Sequence, residues 1–303
     1  MAVNDTPLVS VVIPTFNRAN FVRQAIESVL QQRFQGYELI VVDDGSTDET
    51  RAVVESLGPR VRYLYQSNRG AAAARNFGVR HAGAPWIAFQ DSDDLCAPDH
   101  LESLYGYVRD HPDCGLVFGN GAYLDGPKHN RDTIIPAKKS RRLQAAGVNL
   151  QDLFAKSIVR LQASIILKSA YDAAGGMDES LRICHDLDLF FRLSMLVAVK
   201  YLDRVVFFYR KHDGNISRNE ELRVMENIKV IEKFLSDFPQ ARDLIGRDNV
   251  ARRLAYRYYR LAKGRWKRNQ LPGAMEAIDA AVARAPYSLK YRVYRYRWGA
   301  SHT

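Results

Sequence analysis

Apolar positions in the first hundred residues switch between short β-branched runs and a period near 3.6, which predicts strands alternating with helices. Val9-Ser10-Val11-Val12-Ile13 is a β-branched run stopped by Pro14, and Phe21, Ala25, Ile26, Val29 and Leu30 then recur at helical spacing. Residues 39–42 predict a second strand. Ser46, three before Glu49, fits a capping box for a helix running through Val53 and Leu57. Residues 61–65, 71–81 and 86–89 then read as strand, helix and strand, and Pro98 suits the first turn of the next helix. This order implies βαβ units, an α/β Rossmann-like fold with a mainly parallel sheet flanked by helices.

From Leu116-Val117-Phe118 onward the pattern loosens. Residues 125–147 combine Gly126-Pro127, Pro136 and the basic run Lys138-Lys139-Ser140-Arg141-Arg142, and they read as a mobile surface loop. A short helix over 149–156, a strand over 164–167, a helix over 186–196 and a strand over 200–209 follow. Beyond Asn219 the pattern is helical almost throughout, interrupted at Pro239, Pro272 and Pro286. The change of architecture predicts an α/β domain over 1–220 and a C-terminal helical extension over 221–303.

Composition changes this picture only in places. At 47% hydrophobic and 26% charged the chain reads as an ordinary globular protein with a sizeable core. Three widely spaced cysteines, Cys96, Cys114 and Cys184, suggest neither a disulfide framework nor a cysteine zinc site, which fits a reducing compartment. Neither a secretory leader nor an apolar run of about 18 residues is legible, so the expectation is a cytoplasmic protein whose membrane contact is peripheral. The net charge of +10 is concentrated at one end: residues 241–303 hold 15 Lys/Arg against 4 Asp/Glu.

The candidate chemistry collects where such a sheet binds ligands, beyond the carboxyl ends of its strands. Strand one ends in Pro14-Thr15-Phe16-Asn17, strand two in Asp43-Asp44-Gly45-Ser46, and strand four in Gln90-Asp91-Ser92-Asp93-Asp94. Carboxylates at i and i+2 past a strand can reach one hard cation that keeps sites for phosphate oxygens, as Mg²⁺ or Mn²⁺ does. Asp43-Asp44 reads either as a turn or as an acceptor for a ring N–H or ribose hydroxyl. Arg75 can reach the same edge and meet a phosphate or base carbonyl. Asp186 and Asp188 open a helix and cannot both face one way, so one suits a general base and the other a structural role. His212 follows a strand in a loop, where a neutral imidazole could complete a cation's coordination.

Taken in order, Val9 to Arg18, Val41 to Asp48, Asn68-Arg69-Gly70 with Ala74-Arg75-Asn76-Phe77-Gly78, and Asp91-Ser92-Asp93-Asp94 resemble the family 2 inverting glycosyltransferases with a GT-A-type fold. The resemblance implies that Pro14 and Thr15 line the base pocket, that Asp44 holds the nucleobase, usually uracil, and that Arg75 helps fix it. It implies Asp91 and Ser92 beside the ribose and diphosphate, Asp93 on the metal, and Asp186 as the catalytic base. His185 stands where the family commonly has Glu. The Tyr209-Arg210-Lys211-His212 stretch resembles a family segment whose His approaches the metal. The implied reaction moves a sugar from a nucleoside-diphosphate sugar to a glycan or lipid-linked hydroxyl.

The tail interleaves its basic residues with Tyr256, Tyr258, Tyr259, Trp266, Tyr287, Tyr291, Tyr294, Tyr296 and Trp298. Such a pattern suits docking at an anionic membrane surface on its inner face, or aromatics packed within a bundle under a solvated basic face; nucleic acid is the less favoured partner. A dinucleotide oxidoreductase is excluded by the lack of GxGxxG after the first strand. The alternative kept is a non-catalytic nucleotide-sugar or glycan-binding module of the same fold.

Overall fold

The computed structural model describes residues 6–124, 133–155, 158–212 and 219–300. In chain order the elements begin β1 (Val9–Thr15), α1 (Ala19–Leu30), β2 (Tyr37–Asp43), α2 (Thr50–Glu55), β3 (Val61–Tyr65), α3 (Ala71–Arg80), β4 (Trp86–Phe89) and β5 (Leu95–Cys96). They continue with α4 (His100–Asp110), β6 (Cys114–Tyr123), α5 (Ala137–Ala146), α6 (Leu150–Ala155), a 3₁₀ turn (Leu161–Ala163), β7 (Ser164–Leu167), α7 (Lys168–Ala173), α8 (His185–Ser194) and β8 (Ala198–Tyr209). Five helices close the chain: α9 (Glu220–Asp237), α10 (Ala241–Ile245), α11 (Arg247–Lys267), α12 (Leu271–Arg284) and α13 (Leu289–Ala300). Two compact units result, Met1–Asn149 with Ser157–Gly214, and Leu150–Lys156 with Asn215–Thr303.

The first unit is built on one eight-stranded sheet in the order β3-β2-β1-β4-β7-β6-β8-β5. Strands β3, β2, β1 and β4 are parallel, with Thr15 level with Asp43 and Val12 with Phe89. β7 then runs antiparallel to both β4 and β6, β8 parallel to β6, and β5 antiparallel to β8. All seven residues of β1 are buried, as its largely β-branched sequence suits in a strand covered on both faces. Helix α3 comes so near that a Cβ on Gly78 would stand 2.4 Å from Val12 Cγ1 and 3.2 Å from Val42 Cγ2.

Two expectations are corrected here. Ser46 does not cap α2: its hydroxyl accepts from Asn17 N at 2.9 Å, while Asp48 Oδ1 accepts from Thr50 N at 3.0 Å and Asp48 Oδ2 from Ala19 N at 3.1 Å. The stretch read as a loop over 125–147 contains helix α5, and 125–132 lie outside the described residues. α5 buries Leu143 and Ser140, the latter hydrogen-bonded to Tyr201 and Asp203, so its basic residues form the solvated side of a packed helix.

In the second unit Val224, Ile228, Tyr259, Ala262, Ile278, Ala281 and Trp298 make a core of their own. Trp266 stacks on Trp298 with ring centroids 4.7 Å apart. Asn219 caps α9 by accepting from Leu222 N at 3.1 Å, and Pro272 sits in the first turn of α12, where its missing N–H costs nothing. No helix among the described residues is long and apolar enough to cross a membrane.

Candidate active site

The carboxyl ends of β1, β2 and β4 all stop at one edge of the first unit, because the parallel register aligns them. At the end of β1, Thr15 O accepts from Asp44 N at 2.9 Å, and Thr15 Oγ1 is buried with no hydrogen-bond partner among the described residues. A buried unpaired hydroxyl is costly, so this atom is poised for an incoming polar group. Asp44 is buried and heavily used: Oδ1 accepts from Gln66 Nε2 at 2.7 Å and Arg69 N at 2.9 Å, and Oδ2 from Gly70 N at 2.8 Å. The loop entering α3 is therefore folded around this carboxylate. Asp43 ties β2 to its surroundings through Ser46 N at 2.8 Å and the Tyr63 hydroxyl at 2.8 Å.

Beyond β4, carboxylate oxygens of Asp91, Asp93 and Asp94 lie within 4.8 Å of one another. Each is held differently. Asp91 pairs with Arg75 Nη2 and with Gln162 Nε2. Asp94 accepts from Gln162 Nε2 at 2.8 Å and from Arg210 N at 2.8 Å, so its oxygens join β4, the 3₁₀ turn and the end of β8. Asp93 Oδ2 lies 2.8 Å from His212 Nε2 and 4.0 Å from Arg18 Nη2. Ser92 is buried between them. His212 stacks on Phe21 with centroids 4.9 Å apart, which fixes the ring's direction.

Crowding of like charges away from water shows in the ionisation of this cluster. Burial first, then Asp91, pushes the Asp94 carboxyl up to about 8, while the hydrogen bond from Arg210 N works the other way. Asp91 is raised by burial, partly offset by Arg75. A divalent cation bound by carboxylate oxygens would relieve this repulsion. The donor set of hard oxygens plus one imidazole suits such an ion, and Asp93 Oδ2 and His212 Nε2 already face each other at 2.8 Å.

Arg75 is a pivot. It is 5% exposed, its Nη2 is on Asp91, its Nη1 is 2.9 Å from His185 Nε2, and its Nε has no hydrogen-bond partner among the described residues. His185 is neutral, its pKa pulled down to about 3 by burial and then by the guanidinium. A neutral imidazole can accept from Arg75 where a Glu would have carried a charge. The next residue, Asn76, holds the turn before α8: Oδ1 accepts from Met177 N at 2.9 Å and from the Tyr171 hydroxyl at 2.6 Å, and Nδ2 donates to Met177 O at 2.9 Å.

Asp186 and Asp188 separate as helix geometry requires. Asp188 is buried and paired with Arg192, at 3.0 Å to Nε and closely to Nη2. Asp186 is half-buried, and Oδ1 accepts from its neighbour Leu187 N at 2.7 Å. Burial raises its carboxyl above the usual range, with Arg160, the Leu187 bond and Arg75 opposing and Asp91 adding to the rise. It thus shares an electrostatic environment with the β4 cluster. Sequence reasoning missed Gln162 and Arg160 and gave Arg210 and Asn76 no role of their own, since contacts across 68 to 116 positions leave no local pattern.

Comparison with known proteins adds the following. The family model described as Glycosyl transferase family 2 matches residues 10–165, just over half of the chain. An uncharacterized glycosyltransferase of Rickettsia prowazekii is 30% identical over 223 residues, covering 73% of this chain and 69% of the relative. Among solved structures, TarS 1-349 of S. aureus in complex with UDP-GlcNAc superposes with a TM-score of 0.70 at 17% identity, over 92% of this chain and 82% of that one. The mannosyltransferase PcManGT of Pyrobaculum calidifontis, in complex with GDP-Man and Mn²⁺, gives 0.63 at 19% identity over 97% and 84%. At these identities the two structures establish a shared GT-A-like fold.

Proposed function

Since the chain belongs to the glycosyl transferase family 2 and is a glycosyltransferase, we propose that it moves a sugar from a nucleoside-diphosphate sugar, with uridine as the nucleoside, to a hydroxyl of a glycan or lipid-linked acceptor, inverting the anomeric carbon. The observation that carries this reading is the meeting of Asp93, His212 and Asp91 at the edge where Thr15, Asp44 and Arg75 also end, with Asp186 in the same field. Nucleotide sugars bound to proteins of the same fold, UDP-GlcNAc on TarS and GDP-Man with Mn²⁺ on PcManGT, support it.

In this mechanism residues 1–220 form the catalytic domain. Pro14, Thr15 and Asp44 bound the nucleotide pocket, with the orphan Thr15 hydroxyl and a remaining lone pair on Asp44 Oδ2 as contacts. Arg75, Asp91 and Ser92 align the ribose and diphosphate. Asp93 and His212 are the residues that would hold Mn²⁺ or Mg²⁺, which when bound supplies positive charge beside the leaving diphosphate. Asp186 takes the proton from the acceptor hydroxyl as its oxygen attacks the anomeric carbon opposite the nucleotide. A single displacement inverts that carbon. A nucleotide-sugar panel with Mn²⁺ or Mg²⁺ tests this: release of nucleoside diphosphate is expected, and no release from any donor, or pyrophosphate from a triphosphate, would overturn it.

Residues 221–303 are proposed to dock the enzyme peripherally on an anionic, inner-face membrane surface from the cytoplasm. Tyr287, Leu289 and Tyr296, 97%, 73% and 77% exposed, support this beside the basic residues of α13. Flotation of the full chain with vesicles containing phosphatidylglycerol but not with pure phosphatidylcholine is the expected result; equal behaviour with both removes the docking role.

A further inference from the structure

The second unit holds a concave space of about 350 Å³ between α9, α11 and α13, lined by both acidic and basic side chains. The acidic ones are already matched. Glu220 pairs with Arg260, and Glu221 with Arg265 at 3.1 Å and Arg268 at 2.5 Å. The lysines are not: Lys263, Lys267 and Lys290 line the same space and none has a carboxylate partner among the described residues. Lys263 and Lys267 stand four apart on α11, where like charges weaken a helix rather than support it. Lys290 lies 4.3 Å from the centre of the Tyr259 ring, which holds a third cation at the rim. The field is felt by Tyr294: its phenol is shifted below the ordinary value, first by a hydrogen bond with Tyr259 and then by Lys263, Lys290 and Arg297.

Three ammonium groups without a carboxylate partner among the described residues, around one hollow, would attract an anion, since lysine acts as a compact point charge for carboxylate or phosphate. The wall adds Tyr256, 42% exposed, a ring of sugar size whose hydroxyl accepts from Arg260 Nη1 at 3.0 Å and over which Arg260 lies 5.9 Å from the centroid. The volume lies at the small end of ligand pockets, enough for one or two sugar rings. Concavity separates this feature from the protruding Tyr287, Leu289 and Tyr296, which suit a flat surface.

We propose that the hollow between α9, α11 and α13 binds a negatively charged sugar unit, its acidic group on Lys263, Lys267 and Lys290 and its ring against Tyr256. The ligand class is a segment of an acidic glycan. Binding there is independent of whether the first unit transfers sugar, so the two readings fail separately.

The test measures binding of tetragalacturonate to the full chain by calorimetry at low salt, with maltotetraose, inorganic phosphate and phosphatidylglycerol vesicles as comparison arms. Tetragalacturonate is expected to bind, weakening with added salt because the lysines are exposed. The K263Q/K267Q/K290Q variant should bind it at least about tenfold more weakly, as losing charge-assisted hydrogen bonds implies. Tyr256→Ala should also weaken binding, and nucleoside-diphosphate release should be unchanged in both variants. Unchanged affinity in the lysine variant, equal binding of maltotetraose, or equal binding of phosphate alone would overturn the proposal. So would a lysine-dependent interaction with the vesicles without any for tetragalacturonate, which would make the hollow a lipid-headgroup site.

Discussion

Replacing Asp186 by Asn removes a proton acceptor and one charge while leaving shape almost untouched. The carboxamide oxygen can still accept from Leu187 N, the 2.7 Å contact that fixes the side chain at the start of α8. Fold and donor affinity should therefore persist. The loss falls on the transferred proton. General-base catalysis contributes about 10²–10⁴-fold, or roughly 2.7–5.4 kcal/mol at 1.36 kcal/mol per decade. Burial makes Asp186 a stronger base than an exposed aspartate, so the loss should lie near the middle of that range or above, about 10³-fold in kcat. The pH profile gives a second reading. A base works deprotonated, and its pKa here is raised, so kcat/KM should climb with pH through a window above the ordinary aspartate value of 3.8. In Asp186→Asn the Asp186 contribution to that limb should vanish, leaving any rise set by Asp94 and Asp91. The same shift makes Asp186 a stabilising proton binder at low pH whose contribution is lost as pH rises through its folded pKa, so the variant's relative stability should improve towards neutral pH. Steady-state transfer from a radiolabelled donor, with calorimetric donor binding in parallel, decides the matter. Transfer within about tenfold of the parent, or a pH profile left unchanged by the substitution, would refute the assignment.

Asp93→Ala should abolish the divalent-cation dependence of donor binding, because it removes the carboxylate that His212 faces at 2.8 Å; donor titrations with and without Mn²⁺ would show it. Gly78→Ala should lower stability by about 1–3 kcal/mol despite the better helix propensity of Ala, since its Cβ would stand 2.4 Å from Val12 Cγ1; urea melts give the value. Asp188→Ala should cost about 3 kcal/mol or more in the same assay, because it strands the Arg192 guanidinium, 14% exposed, without its carboxylate. Of the two aspartates opening α8, one substitution should then damage the fold and the other the reaction.

The parallel half of the sheet was legible because β1, β2 and β4 have mostly buried, mostly apolar cores, Val11-Val12-Ile13, Leu39-Ile40-Val41-Val42 and Ile87-Ala88-Phe89, that stand out as short runs. The acidic cluster was legible for the same reason, since polar residues directly after such a run must emerge at one edge. α5 was not, because Lys138-Lys139 and Arg141-Arg142 outnumber the one apolar residue it buries, Leu143, and its other buried position is a serine. The separate duties of the three β4 carboxylates were also hidden. They depend on Gln162 and Arg210, which reach Asp94 from 68 and 116 positions away. Ser46 misled because the capping pattern was present, but Asn17 on the neighbouring strand end claimed its hydroxyl.

Two adjacent residues of α3 serve opposite sides of the candidate site. Arg75 grips Asp91, which we propose lies on the side of the leaving diphosphate, and Asn76 grips the turn that launches α8 and Asp186. The helix therefore works as a ruler: a rigid slide of α3 would carry both gripped parts together and leave their spacing unchanged. Gly78, seated against Val12, fixes where that ruler lies. Acceptor-side loops could consequently be exchanged among relatives without detuning the spacing between the departing group and the attacking one, provided the Arg75-Asn76 pair and its glycine anchor are kept.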